Sequence, residues 1–157
     1  MFIALYVDDL IFTRNNVKLI EAFKEVMKEF EMTDLGLMKY FLGLDVIQGK
    51  DGIFVSQERY AKVVLKKFKM TSCNSVSTPM EPGIKLSKYA DGDRVDASKY
   101  RSLIRSLKYL TNTSPDLMLS VGIASQYMEE PRYTQWKALK RILRYVRGTV
   151  YTRTDDY

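Results

Sequence analysis

Phe2-Ile3-Ala4-Leu5-Tyr6-Val7-Asp8-Asp9-Leu10-Ile11-Phe12-Thr13 is the stretch whose reading decides the fold. Two apolar runs, Phe2–Val7 and Leu10–Thr13, are rich in β-formers and are parted only by Asp8-Asp9. A two-residue polar break between such runs predicts a tight β-hairpin. Asp8 and Asp9 then sit at its turn with exposed carboxylates. Asp is a preferred turn residue, so a plain turn explains the pair when it is taken alone. Two adjacent carboxylates at a strand junction can also hold a divalent cation such as Mg²⁺, which takes oxygen ligands.

Downstream the period changes from two to 3.6. Asn15 or Asn16 caps a helix over about Val17 to Phe30, with Ile20, Phe23, Met27 and Phe30 on its apolar stripe. Tyr40–Gln48 and Gly52–Gln57 read as a second hairpin, turned at Gly49-Lys50-Asp51-Gly52. Ser56 is placed to cap a helix over about Glu58 to Phe68. Thr71 to about Asp96 holds Pro79, Pro82, Gly83 and Gly92 and keeps no period, which marks a linker or boundary near Met80. Three helices follow: about Ala97 to Thr111, Ser114-Pro115 to about Met128, and Thr134 to a C′ glycine at Gly148. The pattern is α+β, a small sheet domain over 1–79 and a helical one over 80–157.

Composition narrows the chemistry. The 157 residues include no histidine and one cysteine, Cys73. Ser-His-Asp and Cys-His catalysis, Cys/His zinc sites and an intramolecular disulfide framework are excluded. Lys plus Arg number 25 against 19 acids, a net charge of +6, which favours a polyanionic partner. Lys137, Lys140, Arg141, Arg144 and Arg147 form a basic helix face, and Lys62, Lys66, Lys67 and Lys69 form a second patch. Either can track phosphates or serve as an ordinary solvated face. No run approaches the ~18 apolar residues of a membrane span, and Met1–Val7 is too short for a signal peptide. An intracellular protein, cytoplasmic or nuclear, is expected. The chain opens directly into a strand and closes on Thr152-Arg153-Thr154-Asp155-Asp156-Tyr157, so both ends are expected to continue in something longer.

Tyr6-Val7-Asp8-Asp9 between apolar strands resembles the YxDD signature of reverse transcriptases, in the YVDD form of the copia-type retrotransposons. Phe30–Gly36, Lys39–Leu44, Gly52–Gln57 with Tyr60, and Thr78-Pro79-Met80 continue the likeness. Tyr100–Ile104, Tyr109-Leu110-Thr111, Ser114-Pro115-Asp116, Trp136-Lys137-Ala138 and Lys140–Thr149 follow in the same order. The resemblance covers essentially the whole chain.

It implies a late polymerase palm with a primer-grip hairpin, then a helical thumb and connection. Asp8 and Asp9 would be two of three catalytic aspartates and would hold Mg²⁺. Tyr6, Phe41, Leu42 and Gly43 would position the primer end. Lys62, Lys66, Arg105, Lys137, Arg141, Arg144 and Arg147 would contact a template–primer duplex. The departures count as well. The family's third aspartate lies on an earlier strand, its nucleotide-gripping fingers lie upstream of Met1, and its RNase H domain follows the thumb. Arg105 stands where the family pattern has glycine, Thr13-Arg14-Asn15 replaces a Thr-Gly turn, and Gln135 replaces a common histidine. The implied product is a reverse transcriptase fragment that is inactive alone. A non-enzymatic nucleic-acid-binding module and an inert relic of a decayed element are the competing readings. An unpaired sheet edge beside Met1–Val7 is expected, and with it self-association.

Overall fold

The computed structural model describes residues 1–50, 52–89 and 92–152, with side chains described up to 150. Asp51 of the expected second turn, Ala90 and Asp91 of the irregular segment, and 153–157 at the chain end lie outside the described residues.

β1 (Phe2–Tyr6) and β2 (Asp9–Thr13) form an antiparallel pair with Tyr6 opposite Asp9, Leu5 opposite Leu10 and Phe2 opposite Thr13. The turn is therefore Val7-Asp8 and not Asp8-Asp9, and Asp9 opens β2. The reason is register: a two-residue turn one position earlier pairs every apolar residue of β1 with a residue of β2. It also puts Val7 at φ +52°, a left-handed conformation unusual for a β-branched residue.

α1 (Val17–Lys28) starts where Asn16 Oδ1 accepts the backbone N–H of Lys18 at 3.0 Å, and it ends two residues short of Phe30. The Phe12 and Phe23 rings meet at 4.9 Å, which seats the apolar stripe of α1 on the hairpin. The run read as one strand from Tyr40 to Gln48 is broken. β3 (Tyr40–Phe41) and β4 (Leu44–Gly49) are separated by a turn at Leu42-Gly43, with φ +48° and +79°. β5 (Gly52–Ser56) completes a sheet of order β3-β4-β5.

α2 (Glu58–Lys67) has Gln57 at its N-cap position without a side-chain cap bond. Ser56 does not cap it. Asp45 from β4 takes that role, accepting from the backbone N–H of Arg59 at 3.4 Å and pairing with its guanidinium at 2.9 Å. α3 (Ala97–Leu110) is capped by Asp96, which accepts from Ser98 N and Lys99 N. After Ser114 the chain makes a 3₁₀ turn, Pro115–Leu117, and α4 covers only Met118–Ser125. α5 (Tyr133–Thr152) starts one residue before Thr134 and continues through Gly148. Gly148 is no C′ residue: a Cβ there would come to 3.2 Å from Ser75 Cβ, so its missing side chain admits the 71–78 segment instead.

The chain divides into two compact units, Met1–Phe41 with Val46–Phe54, and Leu42–Asp45 with Val55–Tyr157. In the first, Val46 is the one buried hydrophobic among the described residues, and α1 has none. The second holds a continuous core from α2 (Ala61, Val64, Leu65), α3 (Tyr100, Leu103, Ile104, Leu107), α4 (Val121, Ala124) and α5 (Leu139, Ile142, Leu143, Val146). Tyr100 is fully buried, and its hydroxyl donates to Ala124 O at 2.9 Å. Burial pushes that phenol far above its ordinary range.

Candidate catalytic hairpin and basic surfaces

The β1–β2 hairpin fixes the carboxylates by register. Asp9 is cross-strand from Tyr6, so the two side chains share one sheet face. Asp8 is a turn residue and escapes the strict alternation that would send neighbouring strand side chains to opposite faces. Both aspartates are exposed. Two carboxylates could begin a Mg²⁺ site, but among the described residues no third Asp, Glu, His or Cys completes a metal-holding group. Among the described residues the donor set at this turn therefore stops at two carboxylates.

Leu42 and Gly43 are held from α3. Tyr109 Oη donates to Leu42 O, and a Cβ on Gly43 would lie 2.6 Å from that hydroxyl. The Tyr109 ring meets Tyr60 edge-on at 4.8 Å, which fixes it against α2. Tyr109 escapes sequence reasoning because its partner lies 67 residues away. Its signal was present only as a polar-tipped aromatic next to the core stripe of α3. Phe41 is half-buried at the end of β3.

The basic residues separate into two groups. Arg141 Nη2 donates to Thr78 Oγ1 at 3.0 Å, Arg144 Nε to Asn74 O at 2.7 Å and Arg147 Nε to Thr71 O at 3.0 Å. Arginines spaced by three along α5 meet partners in descending order, so the 71–78 segment runs antiparallel along the helix. These guanidiniums strap the irregular segment down. Gln135, fully buried, extends the strap by accepting from Arg132 N and donating to Ser87 O.

Lys66, Arg105 and Lys137 are exposed. Lys62 pairs with Glu58 at 2.5 Å. Lys67 Nζ reaches Ser102 Oγ at 2.9 Å and joins α2 to α3. Arg101, Arg105 and Lys108 recur at i, i+4 and i+7 on the exposed side of α3, a spacing that places all three on one face. No acidic residue lies within α3 to offset them.

Comparison with known proteins supplies the family. Residues 1–82 match the family described as reverse transcriptase (RNA-dependent DNA polymerase), and the chain belongs to that family. Its relatives include Pol polyproteins of copia-type retrotransposons. It is 36% identical over 150 residues to the retrovirus-related Pol polyprotein from transposon RE1 of Arabidopsis thaliana, covering 95% of this chain and 10% of that protein. It is 35% identical to the Pol polyprotein from transposon TNT 1-94 of Nicotiana tabacum, covering 95% of this chain and 12% of that one. An uncharacterized mitochondrial protein of Arabidopsis thaliana is 39% identical over 153 residues, 96% of this chain and 63% of the relative. The chain thus spans less than two thirds of these relatives' lengths. No solved structure matches it. No helix among the described residues is long and apolar enough to cross a membrane.

Proposed function

We propose that this chain is a palm and thumb segment of a copia-type reverse transcriptase that binds nucleic acid and does not polymerise by itself. The observation that carries the reading is the Tyr6-Val7-Asp8-Asp9 hairpin, which presents Asp9 beside Tyr6 at an exposed tight turn in a chain of this family. Residues 1–79 are assigned to the palm and 80–157 to the thumb and connection. The family match ending at residue 82 supports that division. Asp8 and Asp9 are the carboxylates that would share Mg²⁺ with a third acid from another segment. Tyr6, Phe41, Leu42 and Gly43 are assigned to positioning the primer end.

Nucleic-acid contact is assigned to Lys62, Lys66, Arg105, Lys137, Arg141, Arg144 and Arg147. The exposed Lys66, Arg105 and Lys137 lead, because the three α5 arginines already bind the 71–78 segment. Arg105 supports binding in place of the close helix approach that a glycine would allow. Contacts of this kind go to phosphates and are independent of sequence.

The test is one titration series on the 157-residue chain with a labelled template–primer duplex. Binding should weaken with salt at a log–log slope of roughly −2.7, the value for three neutralised phosphates. Changing Lys66, Arg105 and Lys137 together to Glu should abolish it for all sequences alike. With Mg²⁺ and deoxynucleoside triphosphates the primer should stay unextended. Extension that disappears in Asp8→Asn would defeat the proposal, because this chain would then complete the active site. Salt-insensitive binding would overturn the phosphate assignment, and no binding at low salt would favour the inert relic.

A further inference from the structure

Among the described residues β1 pairs only with β2, so its other edge is open. That edge is unusual in having no charge, no proline and no bulge. All five of its residues are exposed: Phe2 is 82% exposed, Leu5 68%, Tyr6 56% and Ile3 49%. Natural edges are blunted by lysines, prolines or twists, and this one carries none of those devices. β2 differs, since it starts with Asp9 and its three middle residues are half-buried.

Hairpin geometry fixes which backbone groups face outward. Tyr6 and Asp9 flank a two-residue turn and form a hydrogen-bonded pair, so Ala4/Ile11 and Phe2/Thr13 are the next such pairs. The N–H and C=O groups of Ile3 and Leu5 therefore point away from β2. We propose that this edge joins a second copy of the chain, antiparallel, about a twofold axis at Ala4. Ile3 then forms a hydrogen-bonded pair with Leu5 of the partner subunit, and Leu5 with the partner's Ile3. Ala4 faces its own counterpart, and Phe2 lies opposite the partner's Tyr6 in a non-hydrogen-bonded pair, where side chains come closest. The register is self-complementary: each aromatic meets an aromatic and each aliphatic an aliphatic.

An isologous contact of this kind uses both open edges and closes at two copies, giving a sheet of order β2-β1-β1-β2. The four aromatic side chains, at about 200 Å² each scaled by their exposure, offer at most roughly 500 Å², and because side chains stand off the sheet faces the paired edge covers only part of it. Even with the aliphatic residues the total stays below the roughly 1,000 Å² of a stable specific interface. The expected dimer is therefore weak and reversible.

Sedimentation equilibrium of the 157-residue chain should show a monomer–dimer equilibrium between about 1 and 100 μM. Ala4→Lys and Ala4→Glu each set like charges opposite one another at the axis and should weaken dimerisation roughly tenfold or more. An equal mixture of the two should regain it. Cross-linking reads the register independently. In a Cys73→Ser background, Ala4→Cys places two thiols on Cα atoms about 4.5 Å apart, and mild oxidation should give a disulfide dimer. Phe2→Cys, displaced roughly 13 Å from its counterpart, should not. A chain that stays monomeric at 100 μM, assembly that runs on past two copies, or equal cross-linking of both cysteine variants would overturn the proposal.

Discussion

Among the described residues Val7 is the one β-branched residue with a positive φ. Its φ of +52° places a β-branched residue in the left-handed region, where an L-residue is disfavoured by roughly 1–2 kcal/mol. Its side chain is 76% exposed, so packing does not compensate. The alternative turn at Asp8-Asp9 would relieve Val7 but shift every partner by two residues, leaving Phe2 and Ile3 beyond the end of β2. Val7→Gly removes the steric penalty and adds some unfolded-state entropy. The net expectation is a hairpin stabilised by about 0.5–1 kcal/mol, read from the exchange of the Tyr6 and Asp9 amides. A loss of protection there would show that Val7 is held by more than the turn. The carboxylate pair was legible in the sequence because Asp-Asp interrupts two apolar runs. The one-residue shift was not, since nothing in a valine announces a positive φ.

At the scale of elements, helix signals read well where local chemistry sets them. Asn16 caps α1 as its position predicts, and α2 and α3 follow their apolar periods to within a residue or so. They failed where a distant partner decides. Gly148 reads as a stop, yet Ser75 uses the space and α5 runs on. Tyr40–Gln48 reads as one strand, yet Tyr109 holds a turn at Leu42-Gly43.

Two element-level pairings give predictions. From α1, Lys24 meets Asp34 at 2.7 Å, and Gly36 N donates to Asp34 Oδ1 at 2.9 Å. The Lys24 hydrogen bond, then the Gly36 amide, hold the Asp34 carboxyl below its ordinary 3.8. A lowered folded-state pKa contributes stability that is complete above 3.8 and is lost as pH falls through the folded value. Acidification below that point should release the 34–36 turn, seen in the Asp34 carboxyl and Gly36 amide shifts. Asp34→Asn should flatten that response, and an unshifted titration would contradict it. On α5, Arg144→Ala removes a charge-assisted bond to Asn74 O and should cost about 1 kcal/mol, tempered by partial exposure. Cleavage within 71–78 should rise in parallel. Arg144→Lys should recover little, because an ammonium lacks the planar fork.

Over the whole molecule, apolar burial is uneven. Tyr100, Leu103, Leu107, Leu139, Ile142 and Leu143 are fully buried in the second unit. In the first, Val46 alone among the described residues is buried, while Phe2, Leu5, Val17, Phe30, Leu35 and Leu37 stay exposed. Burial of a large aliphatic or aromatic side chain contributes about 1.5–3 kcal/mol. The helical unit therefore has far more to hold its backbone closed. Local opening free energies track such density, so cooperative loss of structure should proceed in two stages. Native-state hydrogen exchange should show amides of α2, α3 and α5 protected at the global level, with those of β1, β2 and α1 exchanging orders of magnitude faster. Raising the concentration should slow exchange at the Ile3 and Leu5 amides before any others, because those two face the open edge. Uniform protection across both units would mean that the first one draws stability from contacts other than buried apolar area.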